Sequence, residues 1–303
     1  MKRRTFLATT SKLSLAMTIP YSFSRRGFAA MLPSDLTSLS AVHLSQAIRE
    51  KHASCVEVMQ AYLSRIDKYN GVYNAIVSLQ SEQDLLEQAQ EADDELAAGK
   101  YRGWMHGMPH AVKDLAAVGG MRHTSGSLLY ADRIAEQDSA MVSRIRAAGA
   151  IFVGKTNTPE FGLGSQSYNP IFGATGCAYN PELTSGGSSG GAGSALGTQM
   201  LPVADGSDMM GSLRNPAAFN NVIGFRPSTN VMSGGSVNQR GLSTSGPMGR
   251  NTEDTIQFLR TIAVKGFGAD FSPLDISRTK IGWLGSLNDY FALEPGILDL
   301  CQN

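Results

Sequence analysis

The chain has 303 residues, 42% hydrophobic and 17% charged, which is enough apolar material for one large or two ordinary domains. Its 26 basic and 26 acidic residues cancel, so charge gives no reason to expect nucleic acid or an anionic membrane surface as partner. Three scattered cysteines, Cys55, Cys177 and Cys301, offer neither a disulfide framework nor a zinc spacing, and neither a metal nor a cofactor is expected.

The first residues differ in composition from the rest. Lys2, Arg3, Arg4, Lys12, Arg25 and Arg26 precede the first acid, Asp35. "RRTFL" followed by the weakly apolar "LSLAMTIPYSF" resembles a twin-arginine leader, with small residues placed for cleavage after Ala29. Residues 1–30 are therefore predicted to be an export signal, and the protein to be periplasmic or exported. A mitochondrial transit peptide shares the basic, serine-rich, acid-poor character and is the alternative address. The apolar stretch is too short to span a membrane, and no other segment qualifies.

Helices come next. "SCVEVMQAYLSRIDKYN" from Ser54 puts Val56, Met59, Leu63 and Ile66 on one face, and Ser54 with Glu57 forms a capping box. "AIVSL" reads as a short strand, and "EQDLLEQAQEADDELAAG" as an amphipathic helix ended by Gly99. "MPHAVKDLAAV" reads as a buried strand running into a loop, "DSAMVSRIRAAGA" as a helix, "IFVG" as a strand, "DTIQFLRTIAV" as a helix and "KIGWLG" as a strand. This alternation predicts an α/β fold. Much of the chain's glycine (33 residues in all) falls between Gly149 and Gly249, the pattern of a site built from close backbone approaches.

"GAIFVGKT" (149–156) matches the letters of a phosphate-binding loop but not its physics. The middle residues Ala150, Ile151, Phe152 and Val153 form strands rather than loops, a helix precedes them, and Pro159 follows Lys155 closely. Lys155 is read as a strand-end residue. His43, His52, His106, His110 and His123 show no metal spacing, and no GxSxG elbow accompanies them, so they are read as structural.

Serine and lysine remain as catalytic candidates. "TSGGSSGGAGSA" (184–195) is by composition a flexible linker and by chemistry a loop holding hydroxyls. A serine hydroxyl needs a base, and a lysine can serve only when neutral, a state held near pH 7.4 by about one free lysine in a thousand. Burial at a strand end can lower that pKa. Lys113 in "HAVKDL" has that setting; an ion pair with Asp114 is the plainer reading.

"GMPHAVKDL", "TSGGSSGGAGSALG" and "ADGSDMMGSLRNPAAFNNVIGFRPS", in this order and with Ser212 standing 24 positions after Ser188, together resemble the amidase signature enzymes over roughly residues 38–300. The resemblance implies a mixed central β-sheet flanked by helices, with residues 31–303 forming a partial, C-terminally truncated amidase domain. It implies that Lys113 is the base, Ser188 the bridging hydroxyl beside a cis peptide bond, and Ser212 the nucleophile that forms an acyl-enzyme. Backbone N–H groups of Met209, Met210, Gly211 and Ser212 would hold the oxyanion, and Asp208, Arg214, Gly187 and Ser189 would support the loop, with Ser189 the rival for the bridge. The implied partner is a small-molecule amide, and a homodimer is compatible with the reading. Two departures stand out: Met210 replaces the usual first glycine of Gly-Gly-Ser, which requires φ below zero there, and family members commonly run well beyond residue 303. The alternatives are an inactive truncated member and the amidase component of a tRNA-dependent amidotransferase.

Overall fold

In the computed structural model, which describes residues 32–228, 231–232, 242–264 and 275–302, the first helices start where the chain supplies a cap. Ser40 accepts the His43 N–H at the head of α1 (Ala41–Arg49). The capping box opens α2 (Cys55–Tyr73): Ser54 Oγ accepts the Glu57 N–H at 3.1 Å, and Glu57 Oε2 accepts the Ser54 N–H at 2.8 Å. After the short β1 (Ile76–Val77) comes α3 (Glu82–Ala97), which stops just before Gly99, at φ +81°. Then follow β2 (Pro109–Lys113), α4 (Ala140–Ala147) and β3 (Ile151–Thr156). Two small hairpins, β4 (Tyr168–Asn169) with β5 (Gly173–Ala174) and β6 (Gly176–Cys177) with β7 (Asn180–Thr184), lead into the glycine-rich α5 (Gly190–Gly197). β8 (Val203–Asp208), α6 (Arg214–Phe219), β9 (Ile223–Gly224), β10 (Thr244–Gly249) and α7 (Thr252–Ile262) complete this part.

The α/β class holds. Among the described residues the expected central sheet is carried as two three-stranded sheets. The first has the order β1-β3-β2, with β2 parallel and β1 antiparallel to β3; the second has the order β8-β10-β9 and is antiparallel throughout. β2 and β8 lie near each other without a ladder between them, and the catalytic candidates sit on either side of that seam.

The core joins α1, α2 and α3 to the first sheet through Leu44, Ile48, Met59, Tyr62, Leu85 and Phe152, all buried. Each such side chain contributes about 1.5–3 kcal/mol. Two helix starts are held from far away in sequence. Asp254 of α7 accepts the N–H groups of Ala41 and Val42 at 3.0 and 2.9 Å, and Asp93 of α3 accepts those of Cys55 and Val56 at 2.7 and 3.1 Å. An N-terminal carboxylate also meets the positive end of the helix dipole.

The chain divides into two units, Met1–Phe267 and Gly268–Asn303. The described part of the second holds a 3-10 turn (Ile276–Arg278) and α8 (Ile297–Gln302). The strand expected at residues 280–285 is not formed. Ile281, Trp283 and Leu284 stand exposed, because a strand persists only where a neighbour pairs its backbone, and none of the described residues does so here. The leader read over residues 1–30 lies outside the described residues. No described helix is long and apolar enough to cross a membrane.

Candidate active site

β2 delivers Lys113 to the site. All five residues of the strand are buried, and Lys113 itself is 1% exposed. Its Nζ meets three hydroxyls: Ser188 Oγ at 2.7 Å, Ser189 Oγ at 2.8 Å and Ser207 Oγ at 3.0 Å. Burial pushes the ammonium pKa down to about 7, against the opposing pull of the Asp205 and Asp208 carboxylates. Asp114 does not pair with Lys113. It accepts from the Thr124 N–H and Oγ1 and lies 3.7 Å from Lys155 Nζ on the neighbouring strand.

The segment 184–195 is not a linker: its end is α5, every described residue from Ser185 to Leu196 is buried, and the Gly187–Ser188 peptide is cis. Glycine is required where α5 meets β3. A Cβ on Gly191 would stand 2.3 Å from the Asn157 nitrogen and 2.6 Å from the Ala75 oxygen, both backbone atoms.

The two adjacent serines differ in what else they touch. Ser189 Oγ accepts from Lys113 Nζ and, at 3.3 Å, from the Ser207 N–H, and donates to the Ser207 carbonyl at 3.4 Å. A hydroxyl has one proton and two lone pairs, so Ser189 is fully committed. Among the described residues, Ser188 Oγ has Lys113 as its single partner, and its proton is uncommitted.

Ser212 follows β8 on a tight loop and is partly buried. Its carbonyl accepts the Ser189 N–H at 3.1 Å, which ties the loop to the serine pair; its Oγ makes no hydrogen bond among the described residues. Gly211 has φ +123°, while Met210 is not among the residues of positive φ, so the substitution of the first glycine meets the backbone condition set for it. The Met209 and Met210 side chains are 50% and 83% exposed. Of the four N–H groups assigned to an oxyanion, that of Gly211 donates instead to Asp208 Oδ1 at 2.9 Å, because the turn folds it back over that carboxylate. Those of Met209, Met210 and Ser212 have no protein acceptor among the described residues.

Asp208 is the hub of this loop. Besides Gly211 it accepts the Leu213 N–H at 3.2 Å, Arg214 Nε at 3.0 Å and Arg226 Nη1 at 3.0 Å. Burial works against its charge, but the hydrogen bonds from Arg214, Gly211 and Leu213 outweigh it and hold the carboxyl below the usual carboxylate range.

Three participants escape a reading of the sequence: Ser207, Asp205 and Arg226. Ser207 and Asp205 sit two apart on β8, the spacing of one strand face, a signal the alternation in "VADGSD" carries. Asp205 accepts the Lys113 backbone N–H with both oxygens at 3.3 Å and meets His110 Nε2 at 3.2 Å. A cleft of about 820 Å³ opens beside the segment after Lys113, lined by Leu115, His123, Met141, Arg144 and Ser245 among others.

The phosphate-loop lookalike is strand β3, buried along its whole length. Lys155 is 0% exposed and donates to the Ala116 carbonyl, so it holds the loop after Lys113 and has no access to a nucleotide.

Residues 57–270 match the Amidase family. The chain is 35% identical over 257 residues to an acylamidase of Rhodococcus erythropolis, covering 84% of this chain and 53% of that protein. It is 36% identical over 239 residues to a glutamyl-tRNA(Gln) amidotransferase component of Lachnoclostridium phytofermentans, covering 78% and 47%. Among solved structures, a fatty acid amide hydrolase superposes with a TM-score of 0.70 at 29% identity, covering 75% of this chain and 42% of that one. The peptide amidase of Stenotrophomonas maltophilia gives 0.68 at 29%, covering 77% and 49%. The chain thus spans about half the length of the curated relatives it matches. By this match and by these relatives, the chain belongs to the amidase family.

Proposed function

We propose that this chain carries the catalytic centre of an amidohydrolase that cleaves a small-molecule carboxylic amide through Ser212, Ser188 and Lys113. The observation that carries the reading is a buried lysine, pushed down to a pKa of about 7 so that a large share of it is neutral at pH 7, against a serine hydroxyl whose proton is free. Lys113 takes the Ser188 proton as Ser188 takes that of Ser212. Ser212 Oγ then bonds to the amide carbonyl carbon, whose π pair moves to oxygen. The N–H groups of Met209, Met210 and Ser212, without protein acceptors of their own among the described residues, receive that charge. Collapse breaks the C–N bond, and the proton held by Lys113 returns through Ser188 to the leaving nitrogen. Water, deprotonated by the same route, cleaves the Ser212 ester and releases the acid. This is the triad logic with lysine in place of histidine. Ser188 rather than Ser189 fits the bridge, because the Ser189 proton is committed to the Ser207 carbonyl.

The exported address remains part of the proposal, on the strength of the twin-arginine-like leader. Similarity to glutamyl-tRNA(Gln) amidotransferase components supports a second reading, release of ammonia from glutamine for a partner. The experiment is a panel of aliphatic, aryl, peptide and glutamine amides on the soluble protein, read as ammonia or amine release. Turnover of simple amides supports the first reading, and turnover of glutamine alone the second. A folded protein inert on all of them would leave the inactive-fragment alternative standing.

A further inference from the structure

The seam between the two sheets holds a charged group that the relay does not use. Asp205 is 1% exposed and His110 0%. The carboxylate sits on β8 but spends its acceptors on β2: the Lys113 N–H reaches both oxygens at 3.3 Å, and His110 Nε2 reaches Oδ1 at 3.2 Å. No backbone ladder joins the two strands, so this side chain does the joining.

The protonation pattern follows from satisfaction. His110 Nδ1 is buried without a partner. An orphaned N–H costs more than an orphaned lone pair that no donor approaches, which favours the tautomer with its proton on Nε2, donated to Asp205. The imidazole is held between the rings of Phe152 and Phe258 at 6.2 and 5.3 Å. The Asp205 carboxylate opposes the effect of burial on the Lys113 amine. The titratable groups that face it are Lys113 and His110 from β2 and Lys155 from β3; Asp208, from the same strand, acts with it on Lys113. From β10, its register partner is Pro247, which carries no charge.

We propose that Asp205, oriented by His110, is a positioning residue for the hydrolytic reaction: it fixes the backbone of Lys113 across the sheet seam and supplies the negative field in which that amine gains and loses its proton. The inference rests on the amidohydrolase reading for its catalytic meaning, but its physical content concerns one lysine. Without the charge on Asp205, burial acts on Lys113 with less opposition. The amine then becomes neutral at lower pH and is a weaker base. Asp205→Asn keeps the shape and an acceptor for Lys113 and His110 while removing the charge. His110→Leu does the converse: it removes the donor that screens Asp205, so the field at Lys113 grows.

The test is a titration of the full chain by NMR with [13Cε]lysine, in which the Lys113 signal is assigned by its loss in Lys113→Met. Asp205→Asn should move the Lys113 midpoint down by about one pH unit, and His110→Leu should move it up. If amide turnover is found, the acid limb of kcat/KM should follow the same two shifts. An unchanged Lys113 midpoint in a folded Asp205→Asn protein overturns the inference, as does a lower plateau rate with an unmoved limb, which a merely structural residue would give. Should Asp205→Asn fail to fold, the upward shift in His110→Leu decides the matter, and loss of fold in both variants overturns the role. A chain inert on every amide that still shows both NMR shifts would sink the amidohydrolase reading and leave the electrostatic coupling intact.

Discussion

Ser189 Oγ lies 2.8 Å from Lys113 Nζ, within 0.1 Å of the distance from Ser188 Oγ to the same nitrogen, yet Ser189 is also bound twice to Ser207. Distance alone would make the two serines equivalent; hydrogen-bond capacity separates them. Ser188→Ala is therefore expected to slow amide hydrolysis by about a hundredfold or more. Ser189→Ala should slow it far less and should instead cost about 1–3 kcal/mol of stability, through the Ser207 backbone groups it strands. Paired rate and melting measurements check this. A larger rate loss in Ser189→Ala would reverse the assignment.

Ser212→Ala and Lys113→Ala should each abolish most turnover, and the double variant should be scarcely worse than either, because groups that act as one relay lose their effect together. A fluorophosphonate should label Ser212, located by mass spectrometry. Labelling at Ser188 or Ser189 would show that the nucleophile lies elsewhere.

Lys113 also predicts two pH effects. Activity should rise with pH through about 7, as the amine loses its proton. Stability should rise as well between about 7 and 10.5, since over that window the unfolded chain binds a proton on this lysine that the folded chain does not. The full effect is on the order of 4 kcal/mol. Lys113→Met should lack this slope and melt above the wild type at pH 6. Melting curves from pH 6 to 10 decide it, and parallel curves would mean that Lys113 titrates normally.

Asp208→Asn should loosen the nucleophile loop. Arg214 and Arg226 lose their charge partner, and one of the two N–H groups at Gly211 and Leu213 faces an amide nitrogen. Arg214 is largely exposed, so the expected loss is modest, about 2 kcal/mol, with slower fluorophosphonate labelling. In the wild type the carboxylate's contribution is present above the unfolded carboxyl pKa of about 4 and fades as pH falls below it. Acid melts of the two proteins should converge.

The leader makes a prediction of its own. N-terminal sequencing of the mature native protein should begin after Ala29. Protein recovered from the cytoplasm with Met1 intact would sink the exported address.

What the sequence discloses depends on the range of the interaction. The Ser54–Glu57 box and the helix stop at Gly99 are local and readable, and so is the β-character of "AIFV" that removes the phosphate-loop reading. The meeting of Lys113 with Ser188, 75 residues apart, is legible only through the family resemblance. Asp93 at the head of α2 and Asp254 at the head of α1 lie beyond any local signal. The same is true of Arg226, which reaches Asp208 across 18 residues. "KIGWLG" shows the converse failure: its composition suits a strand, but pairing needs a partner that composition does not supply.

Lys113 and Lys155 stand on adjacent parallel strands, one step apart in register, and both are buried. Lys155 has a carboxylate of its own in Asp114; Lys113 touches only hydroxyls. The fold thus holds two buried lysines, both shifted downward by burial, with a carboxylate beside one amine and only hydroxyls beside the other; under the proposed relay the second is the base. An off-switch follows from that asymmetry. Ser207→Asp would place a carboxylate where a hydroxyl now lies 3.0 Å from Nζ, hold the amine as a cation and silence the centre with every member of the relay still in place.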